Sequence, residues 1–304
     1  MVLAGPTASG KTHFALQLAE RHGLEIISAD SRQIYRGLDI GTAKPTPEEQ
    51  DRVRHHVIDV CDPSETYDLA RFIEDAEAAM ADIRSRGKRP LLVGGTGLYI
   101  RGLTQGVFAD TSRDPERRAA LKARIEREGT PALHAELARR DPEAAAKIHP
   151  NDPVRTVRAL EVLEVTGRPI SELQRRSRAG GPRHATRIAV LDVERDALNA
   201  RINRRTRAMY ETGLIEEVEQ LLSSGIASDA PGMRAIGYPE AVEVVKGTLD
   251  RAEAIERVST LTRRYAKRQR TWFRSERDAQ WVTVEARSED EKNLGKLEKT
   301  LAIA

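Results

Sequence analysis

Short apolar runs alternate with longer amphipathic stretches over the first hundred residues of the chain. Val2–Ala4 reads as a buried strand and Lys11–Arg21 as a helix. Glu25–Ala29 (Glu-Ile-Ile-Ser-Ala) reads as a second strand, followed by a loop rich in Gly and Pro. His56–Val60 is a candidate third strand, and Leu69–Arg84 has helical spacing. Pro90–Gly94 (Pro-Leu-Leu-Val-Gly) is a fourth strand that leads through Gly95-Thr96-Gly97 into another helix. Short apolar runs set between helices predict parallel strands with crossover helices.

The pattern changes near Asp110. Residues 113–178 are almost entirely helical in periodicity, densely charged, and broken by Pro and Gly at 131, 142, 150, 153 and 167–169. Ala-Gly-Gly-Pro at 179–182 reads as a linker. Arg187–Val193 returns to strand character, and helices fill most of 195–275. The expected fold class is therefore α/β: a P-loop NTPase-like parallel sheet flanked by helices, with an all-helical insertion domain. The core is expected over 1–112 and 183–304, the latter part with basic C-terminal helices, and the insertion over 113–182. No internal repeat is visible.

Composition narrows the class. At 304 residues, 39% apolar and 32% charged, the chain is long enough for two domains or one domain with an insertion. No apolar run approaches a membrane span, so no membrane partner is expected. No leader peptide is expected either, and the very short first strand suggests residues ahead of Met1. Cys61 is the only cysteine, which excludes internal disulfides and cysteine-based zinc fingers and suits a cytoplasmic setting. His55-His56 are adjacent, a poor spacing for joint metal ligation, and are expected at a strand edge or facing solvent. The net charge of +3 conceals strong unevenness: residues 263–277 carry seven Lys/Arg against one Glu. The arginines of 195–207 form a second dense stretch. Such blocks point to a polyanionic partner, against the plainer reading of a solvated helix face.

The chemistry begins at Gly5-Pro6-Thr7-Ala8-Ser9-Gly10-Lys11-Thr12, which fits G-x-x-x-x-G-K-[ST] without mismatch. Its glycines permit a tight turn that brings N–H groups to a polyphosphate, and the positive end of the next helix adds attraction. Lys11 supplies a point charge, and the Thr12 hydroxyl is a candidate ligand for Mg²⁺. A second polar cluster runs Asp30-Ser31-Arg32-Gln33-Ile34-Tyr35 and on through Asp39-Ile40-Gly41-Thr42-Ala43-Lys44-Pro45. Asp30 falls at the carboxyl end of the second strand, where ligands of open parallel sheets sit. It reads as a base or magnesium-shell residue, with a turn aspartate as the competing reading. Gly94-Gly95-Thr96-Gly97-Leu98-Tyr99 falls at the same edge, where glycines allow close backbone approach and Thr96 offers one hydroxyl.

Together these words resemble one family. GPTASGKT, DSRQIYRGLDIGTAKP, GGTGLY, RALEVLEVTGRPIS, GMRAIGYPE and YAKRQRTWFR, in this order, are similar to the tRNA dimethylallyltransferases (tRNA isopentenyltransferases). The likeness covers Gly5 to about Arg274, and the Asp-Ser-Arg-Gln…Gly-Thr-Ala-Lys-Pro run is its most specific part. The resemblance implies transfer of the dimethylallyl group from dimethylallyl diphosphate to N6 of the adenine at tRNA position 37, beside the anticodon. The P-loop then cradles a prenyl diphosphate with Mg²⁺.

In that reaction Asp30 is the expected base for the weakly nucleophilic amine, Thr96 fixes the angle of attack, and Arg205 joins Lys11 on the leaving diphosphate. Arg205 comes from an Arg-x-x-x-Arg-x-x-x-Met pattern whose neighbours Arg204 and Arg207 compete for the role. The resemblance further implies tRNA contacts at Asp30, Ser31, Arg32, Gln33, Thr96, Arg118, Val154, Arg155, Thr156, Val157, Arg158, Arg234, Ala235, Ile236, Gly237, Tyr238 and Pro239. Pro239 departs from the family pattern, where a polar or charged residue is common. The helical insertion is expected to grip the anticodon stem. Tyr265, Trp272 and Phe273 read either as base-stacking platforms or as core. The absence of a C-terminal Cys/His finger and the Ala/Arg-rich composition favour the bacterial type. A monomer is expected. The competing classes are an adenylate isopentenyltransferase, a small-molecule P-loop kinase, and an RNA-binding protein without activity.

Overall fold

The computed structural model describes residues 1–106, 114–179, 181–284 and 289–303, with the side chains of 178 and 179 excepted. Six parallel strands form one sheet: β1 (Val2–Ala4), β2 (Leu24–Ala29), β3 (His55–His56), β4 (Arg89–Gly94), β5 (Ile188–Asp192) and β6 (Ala279–Thr283), in the order β3-β2-β4-β1-β5-β6. β1, β2 and the end of β4 are buried throughout, as a parallel sheet covered on both faces requires.

The helices in chain order are α1 (Lys11–His22), α2 (Pro47–Arg52), α3 (Leu69–Ser85), α4 (Gly97–Gln105), α5 (Pro115–Glu128), α6 (Thr130–Arg140), α7 (Pro142–Ala145), α8 (Pro153–Thr166), α9 (Ile170–Ala179), α10 (Arg195–Glu211), α11 (Leu214–Ser223), α12 (Tyr238–Val245), α13 (Arg251–Arg274) and α14 (Asp290–Leu301). Alternate strand residues Leu3, Leu91, Val93, Ala189 and Leu191 share one core with Phe14, Ala15 and Leu18 of α1 and Leu294, Leu297 and Leu301 of α14. Elsewhere in this unit Phe72 of α3 stacks on Tyr99 of α4, ring centroids 4.2 Å apart.

Two elements differ from expectation. The third strand is only two residues long. Val57 (φ 60°) and Asp59 (φ 56°) take left-handed conformations that no strand continues through. The strand β6 and the helix α14 lie beyond the last element read from the sequence. His55-His56 do lie at the sheet edge, and His56 Nε2 is 2.8 Å from Glu25 Oε2.

The chain divides into two compact units, Met1–Ile100 with Thr186–Ala304, and Arg101–Ala185. The boundary expected at 112/113 lies outside the described residues; the second unit already includes the end of α4, where Thr104 O accepts from His184 N. Within the second unit, the Asp-Pro pairs start helices. Asp114, Asp141 and Asp152 cap α5, α7 and α8 through their side chains, and the prolines stand at first-turn positions whose N–H needs no partner. Leu121, Leu133, Leu137, Val157 and Leu160 form its core.

Candidate active site

Strand register assembles the site. Ala4 of β1 and Ala29 of β2 both pair with Gly94 of β4, so the next residues, Gly5, Asp30 and Gly95, emerge together from one edge of the sheet. A Cβ on Gly94 would stand 2.2 Å from the Ala29 carbonyl oxygen, which is why this position is glycine. Thr96 is tied into the same edge: its N–H donates to Ala29 O, and its Oγ1 accepts from Ser31 N at 3.1 Å.

The loop after β1 bends through left-handed Ala8 (φ 63°) and Gly10 (φ 95°). A non-glycine residue in that region is held there by its surroundings, a pattern common in ligand clamps. α1 then begins with no acidic residue in its first turn and no side-chain cap, so no side chain there offsets the positive end of the helix. Thr7 N–H is committed elsewhere, donating to Gln269 Oε1 at 2.8 Å. Ser9 Oγ is buried and has no hydrogen-bond partner among the described residues.

Lys11 Nζ donates to Pro6 O at 2.8 Å. Burial pushes its pKa down to about 8, against the opposing pull of Asp30 and with the help of Arg205. Helix geometry separates Arg207 from the other arginines of the cluster. Arg201, Arg204, Arg205 and Ala208 share one face of α10 at three- and four-residue spacing and line the cavity over the loop. Arg205 Nη2 donates to Thr7 Oγ1 at 2.6 Å, and burial lowers its pKa while Asp30 opposes the shift. Arg201 reaches Ser9 O at 3.4 Å. Arg207 is exposed and lines neither cavity described next.

Two cavities meet here. One, of about 910 Å³, is lined by residues 7–14 together with Asp30, Arg201, Arg204, Arg205 and Tyr265. The other, of about 330 Å³, is lined by Ser31, Arg32, Met209, Arg234, Ile236, Val258 and Arg268 among others. Thr7, Asp30, Thr42, Arg205 and Tyr265 belong to both. Asp30 therefore stands where the cavity over the glycine-rich loop opens onto a mixed apolar and cationic one. One carboxylate oxygen, Oδ1, also closes a local turn by accepting from Arg32 N at 2.9 Å, so Asp30 is a turn aspartate as well as a cavity-lining one.

Two family models match the chain: "IPP transferase" over residues 33–276 and "Isopentenyl transferase" over residues 1–62. The chain belongs to the IPP transferase family. A tRNA dimethylallyltransferase of Anaeromyxobacter dehalogenans is 50% identical over 282 residues, which span 93% of this chain and 94% of that protein. A crystal structure of a full-length tRNA isopentenylpyrophosphate transferase from Bacillus halodurans is 40% identical, with TM-score 0.71, covering 99% of this chain and 96% of that one. A eukaryotic dimethylallyltransferase crystallised acting on tRNA is 28% identical, with TM-score 0.82, covering 97% of this chain and 76% of that one.

In this IPP transferase chain the remaining candidate residues separate by surroundings. Ser31, Arg32, Arg234, Ala235 and Ile236 line the smaller cavity, and Arg32 Nη1 also donates to Pro231 O at 3.2 Å. The amide of Gln33 is taken up by the carbonyls of Thr42 and Ala43. Gly237 and Tyr238 are buried, and the Tyr238 hydroxyl donates to Glu217 at 2.6 Å rather than facing a cavity. Pro239 is the second residue of α12, where a missing N–H costs nothing. In the helical unit Val154 and Arg155 are exposed. Arg118 and Arg158 flank the fully buried carboxylate of Glu161 at 2.7 and 2.9 Å. Thr156 and Val157 point into that unit's interior instead of to its surface.

Phe273 is core, while Tyr265 lines both cavities under the Arg268 guanidinium, 5.6 Å from its ring centroid. Gln269 escaped the sequence reading although it links Thr7 N to Gly95 O, the latter at 2.9 Å. Its only sequence signal is its place in the basic YAKRQ run.

Among the described residues, no group of three or more His, Cys, Asp or Glu is placed to hold a metal ion. The Thr12 side chain lines the larger cavity, where its hydroxyl would be the oxygen available to a hard cation.

Proposed function

We propose that the chain transfers a dimethylallyl group from dimethylallyl diphosphate to N6 of adenosine 37 in the tRNA anticodon loop, releasing diphosphate. The family assignment supports the reaction class. The observation that carries the site assignment is the position of Asp30, shared by the phosphate-loop cavity and its neighbour. Relatives matched over nearly their whole length bear the name tRNA dimethylallyltransferase, which favours tRNA as acceptor over free adenylate or a small-molecule kinase substrate.

The loop N–H groups, Lys11 and Arg205 hold the diphosphate in the larger cavity, with the allylic carbon directed toward Asp30. The adenine enters from the smaller cavity after leaving its stack, as base-modifying enzymes require. The N6 lone pair attacks C1. The C1–O bond breaks, and its electron pair departs with the diphosphate. The N6 proton passes to the Asp30 carboxylate. Lys11 and Arg205 stabilise the charge that gathers on the leaving oxygen. A Mg²⁺ ion held by Thr12 and the phosphates would add positive charge at the diphosphate. Thr96, fixed by Ser31 N–H, orients the amine.

Val154 and Arg155 supply the exposed RNA-facing surface of the helical unit, half-buried Arg118 and Arg158 flank it from their pairs with Glu161, and Thr156 and Val157 support it from within. Arg32 and Arg234 engage the anticodon loop at the smaller cavity. The chain is expected to act as a cytoplasmic monomer.

Mass spectrometry of nucleosides tests this reading. The protein is incubated with dimethylallyl diphosphate, Mg²⁺ and either an anticodon stem-loop or free AMP. The reading expects prenylated adenosine from the stem-loop at the position-37 residue. Prenylation of AMP alone, or a phosphorylated product when ATP is supplied, would overturn it.

A further inference from the structure

The loop 39–43 is a wall common to both cavities. Thr42 lines both, Gly41 lines the smaller one and Ala43 the larger. Its backbone is held from behind by one carboxylate. Glu217, in the first turn of α11, accepts from Asp39 N at 3.0 Å and Ile40 N at 2.8 Å, with Gly41 N at 3.5 Å. The Tyr238 hydroxyl, from the start of α12, donates to the same carboxylate at 2.6 Å. Three consecutive N–H groups turned toward one anion form a backbone nest, here filled by the protein's own side chain. The fit leaves no slack: a Cβ on Gly41 would lie 2.5 Å from the Tyr238 ring and 2.9 Å from Leu214.

From the other side Gln33 Nε2 donates to Ala43 O at 3.1 Å, and buried Lys44 donates to Tyr35 O while pairing with Asp39 and Asp59. The loop lines the two cavities and its anchors Glu217 and Tyr238 line neither of them.

We propose that Glu217 is a positioning residue for the transfer, its carboxylate and the Tyr238 hydroxyl together setting the loop 39–43 that divides the diphosphate chamber from the acceptor chamber. The inference rests on the reading of those two chambers given above. A carboxylate suits the task because it accepts from several donors at once and its charge strengthens each bond. A glutamine at 217 keeps one acceptor oxygen but turns an NH₂ toward N–H groups, so it cannot hold the nest. The P-loop is secured separately, by Gln269 and the strand register, and so diphosphate binding does not depend on Glu217.

The test compares the wild-type protein with Glu217→Gln and Tyr238→Phe in three measurements. Amide hydrogen exchange over residues 39–43 reports the loop. Steady-state kcat and KM on an anticodon stem-loop report the transfer, and calorimetry with inorganic pyrophosphate reports the anion chamber. Glu217→Gln should raise exchange at 39–41 and cut kcat/KM for the stem-loop by roughly tenfold or more, with pyrophosphate Kd within about twofold of wild type. Tyr238→Phe keeps the ring over Gly41 and should show the same signature more weakly. Unchanged exchange in Glu217→Gln would overturn the clamp. Raised exchange with kcat and KM unchanged would overturn its role in the reaction. Pyrophosphate affinity lost in step with activity would mark a general structural defect and overturn it as well. A wild-type protein that failed to prenylate the stem-loop would instead refute the reading of the chambers, while the exchange measurement would still decide the clamp.

Discussion

Burial pushes the Lys11 ammonium down to about 8, with Asp30 pulling it up and Arg205 pushing it further down. A diphosphate bound beside Lys11 favours the protonated form. Anion binding must therefore take up a proton once the free protein has lost it. Inorganic pyrophosphate measured by calorimetry should bind with nearly constant affinity below pH 8. Above it, affinity should weaken by up to about tenfold per pH unit, with proton uptake on binding. Lys11→Met should bind weakly at every pH and lose that slope; a slope unchanged in the variant would assign it to another group. Gln269 offers a second test at this scale. It joins Thr7 N to Gly95 O while buried. Gln269→Leu leaves two backbone groups without partners, at about 1–3 kcal/mol each, and should lower both Tm and kcat. The glycine-rich loop and Asp30, which line one cavity, were legible in the sequence because loop and strand end are local patterns. Gln269 and Glu217 were not. Each acts on a partner more than 170 residues away, and no local pattern records that.

The elements show the same division between local and distant causes. β1, β2, β4 and β5 were legible as short apolar runs because both their faces are covered. β3 was read too long because Val57 and Asp59 leave the strand by left-handed turns that their residue types do not announce. β6 joins the sheet at its edge, pairing only with β5, and carries the mixed pattern Ala-Gln-Trp-Val-Thr. The spacing of Leu294, Leu297 and Leu301 was a helical signal for α14 that the sequence reading passed over. At the end of the sheet away from the site, nearly fully buried Glu25 is bonded by Arg86, His56 and Lys88, and those partners hold its pKa at about 2. A depressed carboxylate pKa adds stability that is present above about 4.5 and is lost as pH falls through 2. Glu25→Gln should be destabilised by about 3 kcal/mol at pH 7 and should lose part of the wild-type pH dependence between 4.5 and 2, followed by thermal melts. Equal Tm values for the two proteins at pH 7 would contradict this. Gly97→Ala should lower Tm too, since its Cβ would stand 2.1 Å from Trp272 Nε1.

For the whole molecule, the charge blocks predict how RNA is held. The net charge is small, yet Arg155 in the helical unit and, in the other unit, the exposed arginines of α13 are solvent-facing cations, each available to phosphate under the proposed function. Stem-loop affinity should fall linearly on a log–log plot against salt. Arg155→Ala should flatten that line by about one unit of slope without altering kcat at saturating RNA. A slope equal to wild type would remove Arg155 from the RNA surface. The most direct test of the central claim is single-turnover prenyl transfer by Asp30→Ala, with stem-loop and pyrophosphate affinities measured on the same preparation. The transfer rate should fall by roughly two to four orders of magnitude with both affinities within a few-fold of wild type. A transfer rate near wild type, or a loss of rate explained wholly by lost binding, would contradict the claim that this carboxylate takes the proton between the two chambers.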